Sequence, residues 1–352
     1  MSRFFHSKYT GLVPYTPGEQ PREQVFVKLN TNESPFPPSP RAVQAAAEEA
    51  GRLQLYSDPT CKVLHERMAA MLGIGEEQMI FTNGSDEGLL FAFMAFCEKG
   101  AVFADITYGF YTVFAELTGT PYRTIPLKED FTLDIGEYLE GEETVFIANP
   151  NAPTGLALPL SDIEKLLQSN PERIVVVDEA YVDFGGESAV KLMDQYDNLL
   201  VVQTFSKSRS LAGGRLGMVF GNAALIADLE TLRYSTNPYN VNRMTMAAGA
   251  AVLEDEEYTQ GNLATVVKNR AWTAERMREM GFVLTDSRAN FLFARHPEIA
   301  GGRIYQRLRD KGVLVRHFDT ERLKDYNRIT VGSAEQMETL VRALKEILEE
   351  EK

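Results

Sequence analysis

Cysteine and histidine are both scarce in this chain of 352 residues, which contains two cysteines and four histidines. Cys61 and Cys97 lie far apart and form no C-x-x-C pair, and no two histidines have H-x-x-x-H spacing. A disulfide framework needs more cysteines, and a zinc module needs clustered ligands. The sequence therefore argues against both, and we expect no metal site.

Basic residues are too few for some classes of partner. The 36 Lys and Arg residues are outnumbered by 50 Asp and Glu, which gives a formal net charge of −14. Nucleic acids and anionic membrane surfaces attract proteins with an excess of positive charge. We therefore expect neither nucleic acid nor a membrane among the partners of this protein.

Long apolar segments are lacking as well. The apolar run Leu89–Cys97 has about half of the ~20 residues that a membrane-spanning helix needs. The N-terminal segment reaches Gly11 and Pro14 before an apolar region typical of a signal peptide has formed. The sequence therefore indicates a soluble protein, and we expect it in the cytoplasm.

Short apolar segments alternate with helix-like segments through the centre of the chain. Segments such as Ile174–Val177 are continuously apolar, which is typical of strands that are buried on both faces. We therefore predict an α/β fold with a mostly parallel central sheet and helices on both of its faces. A long helical region follows, over about 223–233 and 243–280.

The C-terminal part contains strands and helices of its own. Its closing helix has a capping-box signature at Ser333 and Gln336. We predict that residues 41–260 form a large domain and residues 261–352 a smaller C-terminal α/β domain. Residues 1–40, which are rich in Pro, are expected to form an N-terminal arm that belongs in part to the small domain.

A lysine directly follows a predicted buried strand in the segment VVQTFSKSRSLAGGRLG. Lys207 is flanked by Ser206 and Ser208 and is followed eight residues later by Arg215. A lysine at the carboxyl end of a strand can act as a Schiff-base amine, because partial burial favours the neutral, nucleophilic form. The alternative is an ordinary solvated lysine in a loop.

Asp178 ends the preceding buried strand, in the segment VVVDEAYVDF. If the two strands are neighbours, their ends lie about 5 Å apart, and Asp178 and Lys207 face one crevice at the carboxyl edge of the sheet. A buried aspartate needs a cationic or strongly donating partner, which a protonated pyridine nitrogen would provide. Tyr181 would then donate to an oxygen on the same ring. An aspartate that only caps the following turn is the alternative.

The segment NGSD lies between a predicted strand and a predicted helix. Free N–H groups at the start of a helix bind phosphate, and Gly84 lets the backbone approach closely. Ser85 and Asp86 open the helix, and Ser206 and Arg215 would complete a phosphate-binding cup. The alternative is that Ser85 is an ordinary N-cap.

Two further segments follow strands and can face the same crevice. The Pro-rich turn IANPNAPTG contains Asn149 and Asn151, and either amide can point toward a ligand, although an Asn-Pro turn often marks only a chain reversal. Tyr108 can stack on a flat ring, whereas a lone tyrosine more often serves packing.

Together and in this order, these segments resemble the fold-type I pyridoxal-phosphate-dependent aminotransferases, and among them most closely the histidinol-phosphate aminotransferases. The supporting stretches extend from Leu12 to Ser333, almost the whole chain. They are LVPYTPGEQ, VKLNTNESPFPPSP, YSDPT, TNGSDEGL, TYGFY, NPNAPTG, VVDEAYVDF, TFSKSRSLAGGRLG, NPYNVN and NRITVGS. The resemblance implies a fold-type I PLP-transferase fold and pyridoxal 5'-phosphate as the cofactor.

The resemblance also implies roles for single residues. It makes Lys207 the lysine that binds the cofactor covalently and later moves protons, with Asp178 on the pyridine nitrogen. It places Tyr181 on the ring hydroxyl and Tyr108 against the ring face. The residues implied around the cofactor phosphate are Gly84, Ser85, Asp86, Ser206 and Arg215, with Tyr56 reaching in from the partner subunit. A homodimer with shared active sites is therefore expected.

Five residues are implied in substrate recognition by the same resemblance. Arg328 corresponds to the arginine that faces the substrate carboxylate, while Arg316 and Tyr15 line the side-chain pocket; Tyr56 and Asn151 are expected beside them. The implied activity exchanges an amino group between L-histidinol phosphate and 2-oxoglutarate, yielding imidazole acetol phosphate and L-glutamate, in histidine biosynthesis.

The chain departs from the family pattern at one position. Many relatives have an asparagine directly before PTG, where this chain has Ala152. Either Asn151 supplies the missing amide, or Tyr181 contacts the ring oxygen alone. An aromatic transaminase or a threonine-phosphate decarboxylase of the same fold remains an alternative. So does a cofactor-binding regulator without turnover, although such regulators usually carry a DNA-binding module and the sequence shows none.

Overall fold

The computed structural model describes residues 2–20 and 26–351. The first elements in chain order are β1 (Val27–Lys28), α1 (Pro40–Ala50), α2 (Lys62–Leu72), β2 (Met79–Thr82), α3 (Ser85–Phe96), β3 (Ala101–Ala104), α4 (Phe110–Thr118), β4 (Tyr122–Ile125), β5 (Thr144–Ala148), α5 (Leu160–Ser169), β6 (Val175–Asp178), β7 (Leu199–Thr204) and β8 (Gly217–Gly221). The remaining elements are α6 (Ala223–Thr236), α7 (Arg243–Leu253), α8 (Glu256–Glu279), β9 (Val283–Leu284), β10 (Phe291–Arg295), α9 (Gly301–Asp310), β11 (Val313–Leu314), β12 (Arg316–His317), β13 (Tyr326–Thr330) and α10 (Ala334–Glu350). Short 3-10 helices cover Ser7–Tyr9, Glu76–Gln78, Ile135–Tyr138, Val182–Phe184, Ala189–Leu192 and Ala212–Gly214.

The central sheet has seven strands in the order β2-β8-β7-β6-β5-β3-β4. The pairs among β3, β4, β5, β6 and β7 are parallel, whereas β8 runs antiparallel to both β2 and β7. Val175 and Val177 of β6 pack into one apolar cluster, and Val176 between them packs into another on the opposite face. Such strands are apolar at every position because helices cover both faces of the sheet. The predicted α/β fold is therefore confirmed.

A smaller antiparallel sheet has the order β12-β13-β10-β9. Its core includes residues of α8, α9 and α10. β1 pairs in parallel with β11, so part of the N-terminal segment joins the C-terminal part of the chain. The capping box of α10 is present, since the side chains of Ser333 and Gln336 each accept from the other's backbone N–H. The predicted domain boundary at residue 261 falls within α8, and the domain division stays a prediction.

The helical region predicted over residues 243–280 is divided into two helices. α7 ends at Leu253 and α8 begins at Glu256, so the predicted helical region consists of two helices with a short break between them. α7 is rich in small buried residues and packs on α1, whereas α8 also contacts α10. One straight helix cannot follow both surfaces, which explains the break at Glu254 and Asp255. No helix within residues 2–20 and 26–351 is long and apolar enough to cross a membrane.

Candidate active site

A cavity of about 370 Å³ lies at the carboxyl ends of β5, β6 and β7. We call it the inner cavity. Eight of the predicted cofactor-binding residues line it, namely Ser85, Asp86, Tyr108, Asp178, Tyr181, Ser206, Lys207 and Arg215. The parallel strands place these residues at one edge of the sheet because each strand ends there and its following loop turns over the same crevice.

Asp178 and Lys207 occupy neighbouring strand ends. The parallel register pairs Asp178 with Val202 of β7, and Lys207 follows β7 by three residues. The Asp178 carboxylate is buried and accepts hydrogen bonds from the Tyr111 hydroxyl at 2.9 Å and the Ala180 N–H at 3.2 Å. Burial raises the pKa of Asp178 to about 6, although these two donors act in the opposite direction. The site thus contains a carboxylate whose ionised form needs a cationic partner.

The Lys207 amine lies near the Thr31 carbonyl and the Tyr181 ring. Its Nζ donates to the carbonyl of Thr31 at 3.4 Å and lies 5.8 Å from the centre of the Tyr181 ring. The Tyr181 hydroxyl accepts from the Asn32 side-chain amide at 2.9 Å, so its own O–H is left to donate to a ligand. The structure therefore brings the predicted amine and phenol together.

The start of α3 closes one end of the inner cavity. Gly84 has a φ of +76°, and a Cβ on it would clash with Nη2 of Arg215. A Cβ on Gly217 of β8 would clash with the backbone of Gly84. Both glycines allow backbone and guanidinium to crowd around the helix N-terminus. This arrangement suits an anion, because the first N–H groups of a helix lack intrahelical acceptors.

The carboxylate of Asp86 is not directed at a phosphate. Its Oδ2 accepts from Arg215 at 3.0 Å, and its Oδ1 accepts from the Tyr108 hydroxyl at 2.6 Å. Burial and Asp86 raise the pKa of Tyr108 well above its ordinary value, so the phenol stays a donor. A carboxylate repels a phosphate, so only the backbone N–H of Asp86 suits the predicted phosphate contact.

Asn151 lies outside the lining of the inner cavity. Its amide nitrogen donates to the Ile106 carbonyl at 3.0 Å and to Thr154 at 3.1 Å, and its oxygen accepts from Thr107 at 2.8 Å. These bonds use the side chain to hold the surrounding loops. Ala152 lines the cavity instead. The arrangement therefore favours the alternative in which Tyr181 contacts a ring oxygen without an asparagine.

A second cavity of about 670 Å³ adjoins the first. We call it the outer cavity. The two cavities share five lining residues, namely Thr31, Tyr108, Ala152, Tyr181 and Lys207. The predicted substrate residues Tyr15, Arg316 and Arg328 line the outer cavity. A molecule in the outer cavity can therefore reach the Lys207 amine.

Arg316 and Arg328 lie directly opposite each other on antiparallel strands β12 and β13. Arg328 donates to the Asn30 carbonyl at 3.1 Å, while its buried Nε has no partner among the described residues. Burial lowers the pKa of Arg328, and the neighbouring Arg316 charge acts in the same direction. No salt bridge to Arg328 occurs within residues 2–20 and 26–351. Arg328, which is desolvated, and the half-buried Arg316 opposite it thus offer two guanidinium groups to an anionic ligand.

Two predicted tyrosines lie in different surroundings. Tyr15 stacks on Phe110 with 4.3 Å between ring centres and reaches the outer cavity. Tyr56 is 78% exposed and stacks on Tyr239, outside the lining of both cavities in this chain. Within a single chain, Tyr56 therefore lies away from the predicted cofactor site.

Three residues that shape the site were not singled out from the sequence. Tyr111 holds Asp178, Asn32 holds Tyr181, and Gly217 lets β8 approach α3. Tyr111 and Asn32 belong to motifs quoted above, TYGFY and VKLNTNESPFPPSP, but their partners are distant in sequence. The only signal for Tyr111 was its place one helical turn after Tyr108.

Known proteins resemble this chain over nearly its whole length. The model of the family "Aminotransferase class I and II" matches residues 24–344. A histidinol-phosphate aminotransferase of Brachyspira hyodysenteriae is 45% identical and covers 99% of both chains. One of Clostridium acetobutylicum is 43% identical over 99% of this chain and 100% of its own. The crystal structure of the Sinorhizobium meliloti histidinol-phosphate aminotransferase in complex with pyridoxal-5'-phosphate has a TM-score of 0.85 at 24% identity, covering 94% of this chain and 92% of its own.

Proposed function

The chain belongs to the aminotransferase class I and II family, and we propose that it is a pyridoxal 5'-phosphate-dependent histidinol-phosphate aminotransferase. It moves an amino group between L-histidinol phosphate and 2-oxoglutarate, giving imidazole acetol phosphate and L-glutamate, in histidine biosynthesis. The observation that carries this proposal is that one lysine, Lys207, lines both the inner cavity and the outer cavity, where Arg316 and Arg328 lie opposite each other. Full-length relatives that carry an enzyme's name speak against a regulator without turnover.

The residues of the inner cavity fit pyridoxal phosphate. A buried carboxylate, Asp178, lies at one end and matches a protonated ring nitrogen. The N-terminus of α3 with Arg215 lies at the other end and matches a phosphate. When bound, the cofactor supplies an electron sink for the electron pair released at the substrate Cα.

Three side chains around the cavity then have separate roles in the reaction. The Lys207 amine removes the proton from the Cα of the amino-group donor. In the second half of the reaction it delivers a proton to the corresponding carbon of the amino-group acceptor. Asp178 keeps a proton on the ring nitrogen, because an ion pair in a buried site is far more favourable than an isolated carboxylate. Tyr181 donates to the ring oxygen, and the amide of Asn32 fixes its hydroxyl.

The arginines of the outer cavity suit both substrates. Glutamate presents carboxylates and histidinol phosphate presents a phosphate, and a guanidinium fork binds either anion through paired hydrogen bonds. Arg328 is already desolvated and Arg316 lies opposite it in the sheet, so an anion between them gains two partners. A substrate without an anionic group leaves this buried charge unpaired.

We infer that the enzyme is a homodimer with shared active sites. Large apolar side chains are exposed around the ends of α1 and α6, namely Val43, Leu53, Leu55, Tyr56 and Tyr239. Exposed apolar groups of this kind favour a protein interface.

The buried thiols of Cys61 and Cys97 are unpaired, as suits a reducing compartment, and we propose a cytoplasmic location.

The experiment that tests the proposed function compares histidinol phosphate with histidinol as amino donors. The enzyme should prefer the phosphorylated donor by at least about 100-fold in kcat/KM, because histidinol leaves the arginines unpaired. Arg328→Ala should remove most of this preference, and Lys207→Ala should abolish turnover with both donors. Equal kcat/KM values for the two donors, or better turnover of aromatic amino acids, would indicate an aromatic transaminase. Release of carbon dioxide from threonine phosphate would indicate the decarboxylase.

A further inference from the structure

Tyr111 is a fully buried residue of α4 that lies behind the inner cavity and lines neither cavity. We propose that Tyr111 is a positioning residue, whose hydroxyl holds the Asp178 carboxylate in the orientation that meets the ring nitrogen of the cofactor. This inference rests on the proposed function, since it assumes a nitrogen ring beside Asp178.

The hydrogen bonds of Asp178 restrict its carboxylate on both oxygens. The Tyr111 hydroxyl donates to Oδ2 at 2.9 Å, and the Ala180 N–H donates to Oδ1 at 3.2 Å. One donor comes from α4 and the other from the turn directly after β6, and together they restrict rotation of the carboxylate about its last bond. Each oxygen can accept more than one hydrogen bond, so the carboxylate retains acceptor capacity for a ring N–H.

Aromatic packing determines where the Tyr111 hydroxyl lies. Its ring contacts Phe103 and Phe146, each with 5.6 Å between ring centres, and meets Tyr108 edge-on at 5.7 Å. These neighbours come from β3, β5 and the turn before α4, so the core of the sheet orients the ring. A hydroxyl on a ring held in this way is a preorganised donor.

The same hydroxyl is the only side-chain donor to Asp178 among residues 2–20 and 26–351. Burial and the nearby Asp178 keep the pKa of Tyr111 well above its ordinary value, so the phenol remains protonated and can only donate to the carboxylate. The other charged or titratable side chains around the same cavity are Glu33, Asp86, Tyr108, Tyr181, Lys207 and Arg215. None of these donates a hydrogen bond to Asp178 in the described part of the chain.

A purely structural role for Tyr111 makes a different prediction. Tyr111→Phe keeps the ring and its packing and removes only the hydroxyl. Tyr138→Phe is a matched control, because Tyr138 is equally buried and its hydroxyl has no partner within the described residues. Losing a packing role would affect every ligand of the cavity, whereas losing a positioning role affects only ligands with a ring nitrogen.

The test titrates wild-type, Tyr111→Phe and Tyr138→Phe apoproteins with two ligands, following ligand absorbance. One ligand is pyridoxal phosphate, and the other is its carbocyclic analogue with C–H in place of the ring nitrogen. Tyr111→Phe should weaken pyridoxal phosphate binding by about tenfold or more, since a hydrogen bond to a charged group is lost. It should leave analogue binding unchanged, and Tyr138→Phe should leave both unchanged.

Two outcomes overturn the inference while the proposed function stands. One is unchanged binding of pyridoxal phosphate to Tyr111→Phe, and the other is an equal loss for both ligands. If wild-type protein fails to bind pyridoxal phosphate, the proposed function fails and the inference with it. Should Tyr111→Phe not fold, 3-fluorotyrosine at position 111 replaces it. Its fluorine resonance should respond to pyridoxal phosphate more than to the analogue, and an identical response to both contradicts the positioning role.

Discussion

The adjacent residues Asp178 and Glu179, at the end of β6, show how two neighbouring carboxylates can have different roles. Successive side chains of a strand point to opposite faces, so Asp178 faces the inner cavity and Glu179 faces away from it. Glu179 accepts from the Ser188 hydroxyl, the Ala189 N–H and the Gln203 amide. It therefore ties the loop after the 3-10 helix at residues 182–184 to β7. Despite these donors, burial raises the pKa of Glu179 to about 7.

Glu179→Gln should alter how the stability of the apoprotein depends on pH. The pKa of Glu179 is raised from 4.5 to about 7 on folding, so the stability it contributes is fully present below about pH 4.5 and is lost as the pH rises through about 7. The ionisation of Glu179 then costs on the order of 3 kcal/mol. A glutamine side chain does not ionise, so the variant should gain stability relative to wild type between about pH 5 and about pH 8. Urea unfolding at both pH values measures the change.

The exposed Glu172→Gln is the control for this measurement, and its stability relative to wild type should not change with pH. A constant difference in unfolding free energy between Glu179→Gln and wild type at the two pH values would contradict the prediction.

The start of α3 is the functional unit at the scale of an element. Helix α3 has no side-chain N-cap hydrogen bond, and Gly84 at the N-cap has a positive φ. The crowding of Gly84 against Arg215 and of Gly217 against Gly84 leaves no space for side chains there. The element is thus built for close approach of an anion to backbone N–H groups rather than for helix stability.

Gly84→Ala should weaken cofactor binding by at least about tenfold. The backbone of Gly84, with φ +76° and ψ 163°, is in a conformation that costs an alanine about 1–3 kcal/mol, and the new Cβ displaces the Arg215 guanidinium from the cup. Gly213→Ala is the matched control, because Gly213 lines the same cavity but has open space around a Cβ. Titration with pyridoxal phosphate and with pyridoxal, which lacks the phosphate, distinguishes a loss of phosphate binding from a loss of ring binding. A similar loss for both ligands would show that the effect does not concern phosphate.

The whole molecule combines a mostly parallel sheet and a small antiparallel sheet around one pair of cavities. Tyr181, which follows β6, packs edge-on against Phe291 of β10 with 5.1 Å between ring centres. The Arg322 guanidinium pairs with Asp105 at 2.9 Å across the same junction. The inner cavity thus lies at the edge of the large sheet, while Arg316 and Arg328 of the outer cavity lie on strands of the small sheet. Tyr56 lies outside both in the single chain.

Mixed dimers should therefore regain activity that each parent lacks. Tyr56→Phe and Lys207→Ala chains, each of low activity alone, should form heterodimers in which one site combines an intact Lys207 with an intact Tyr56. Co-expression with two affinity tags isolates these heterodimers, and their turnover should approach half that of wild type. Lys207→Ala mixed with Asp178→Asn is the control. Those two residues line one cavity of one chain, so every site in the mixture stays defective. Failure of the first mixture to exceed the second would contradict shared active sites.

The sequence alone determined the features that depend on short segments of chain. The continuous apolar run at Ile174–Val177 indicated a strand buried on both faces, and the sheet confirms it. Lys207, Asp178 and Gly84 follow or end such strands, so local spacing was enough to predict that they share one edge. The capping box of α10 needs only four consecutive residues and was predicted for the same reason.

Only the tertiary structure decided which side chains meet across the cavity. The Tyr111 hydroxyl reaches Asp178 across 67 positions of sequence, and Asp86 pairs with Arg215 across 129. Arg316 faces Arg328 because of the register of β12 and β13, which the strand sequences do not specify. Hydrogen bonds and ion pairs of this kind form only when the distance between two separate elements is correct to within a few tenths of an ångström. Such distances follow from packing of the whole core, and local sequence patterns contain no information about them.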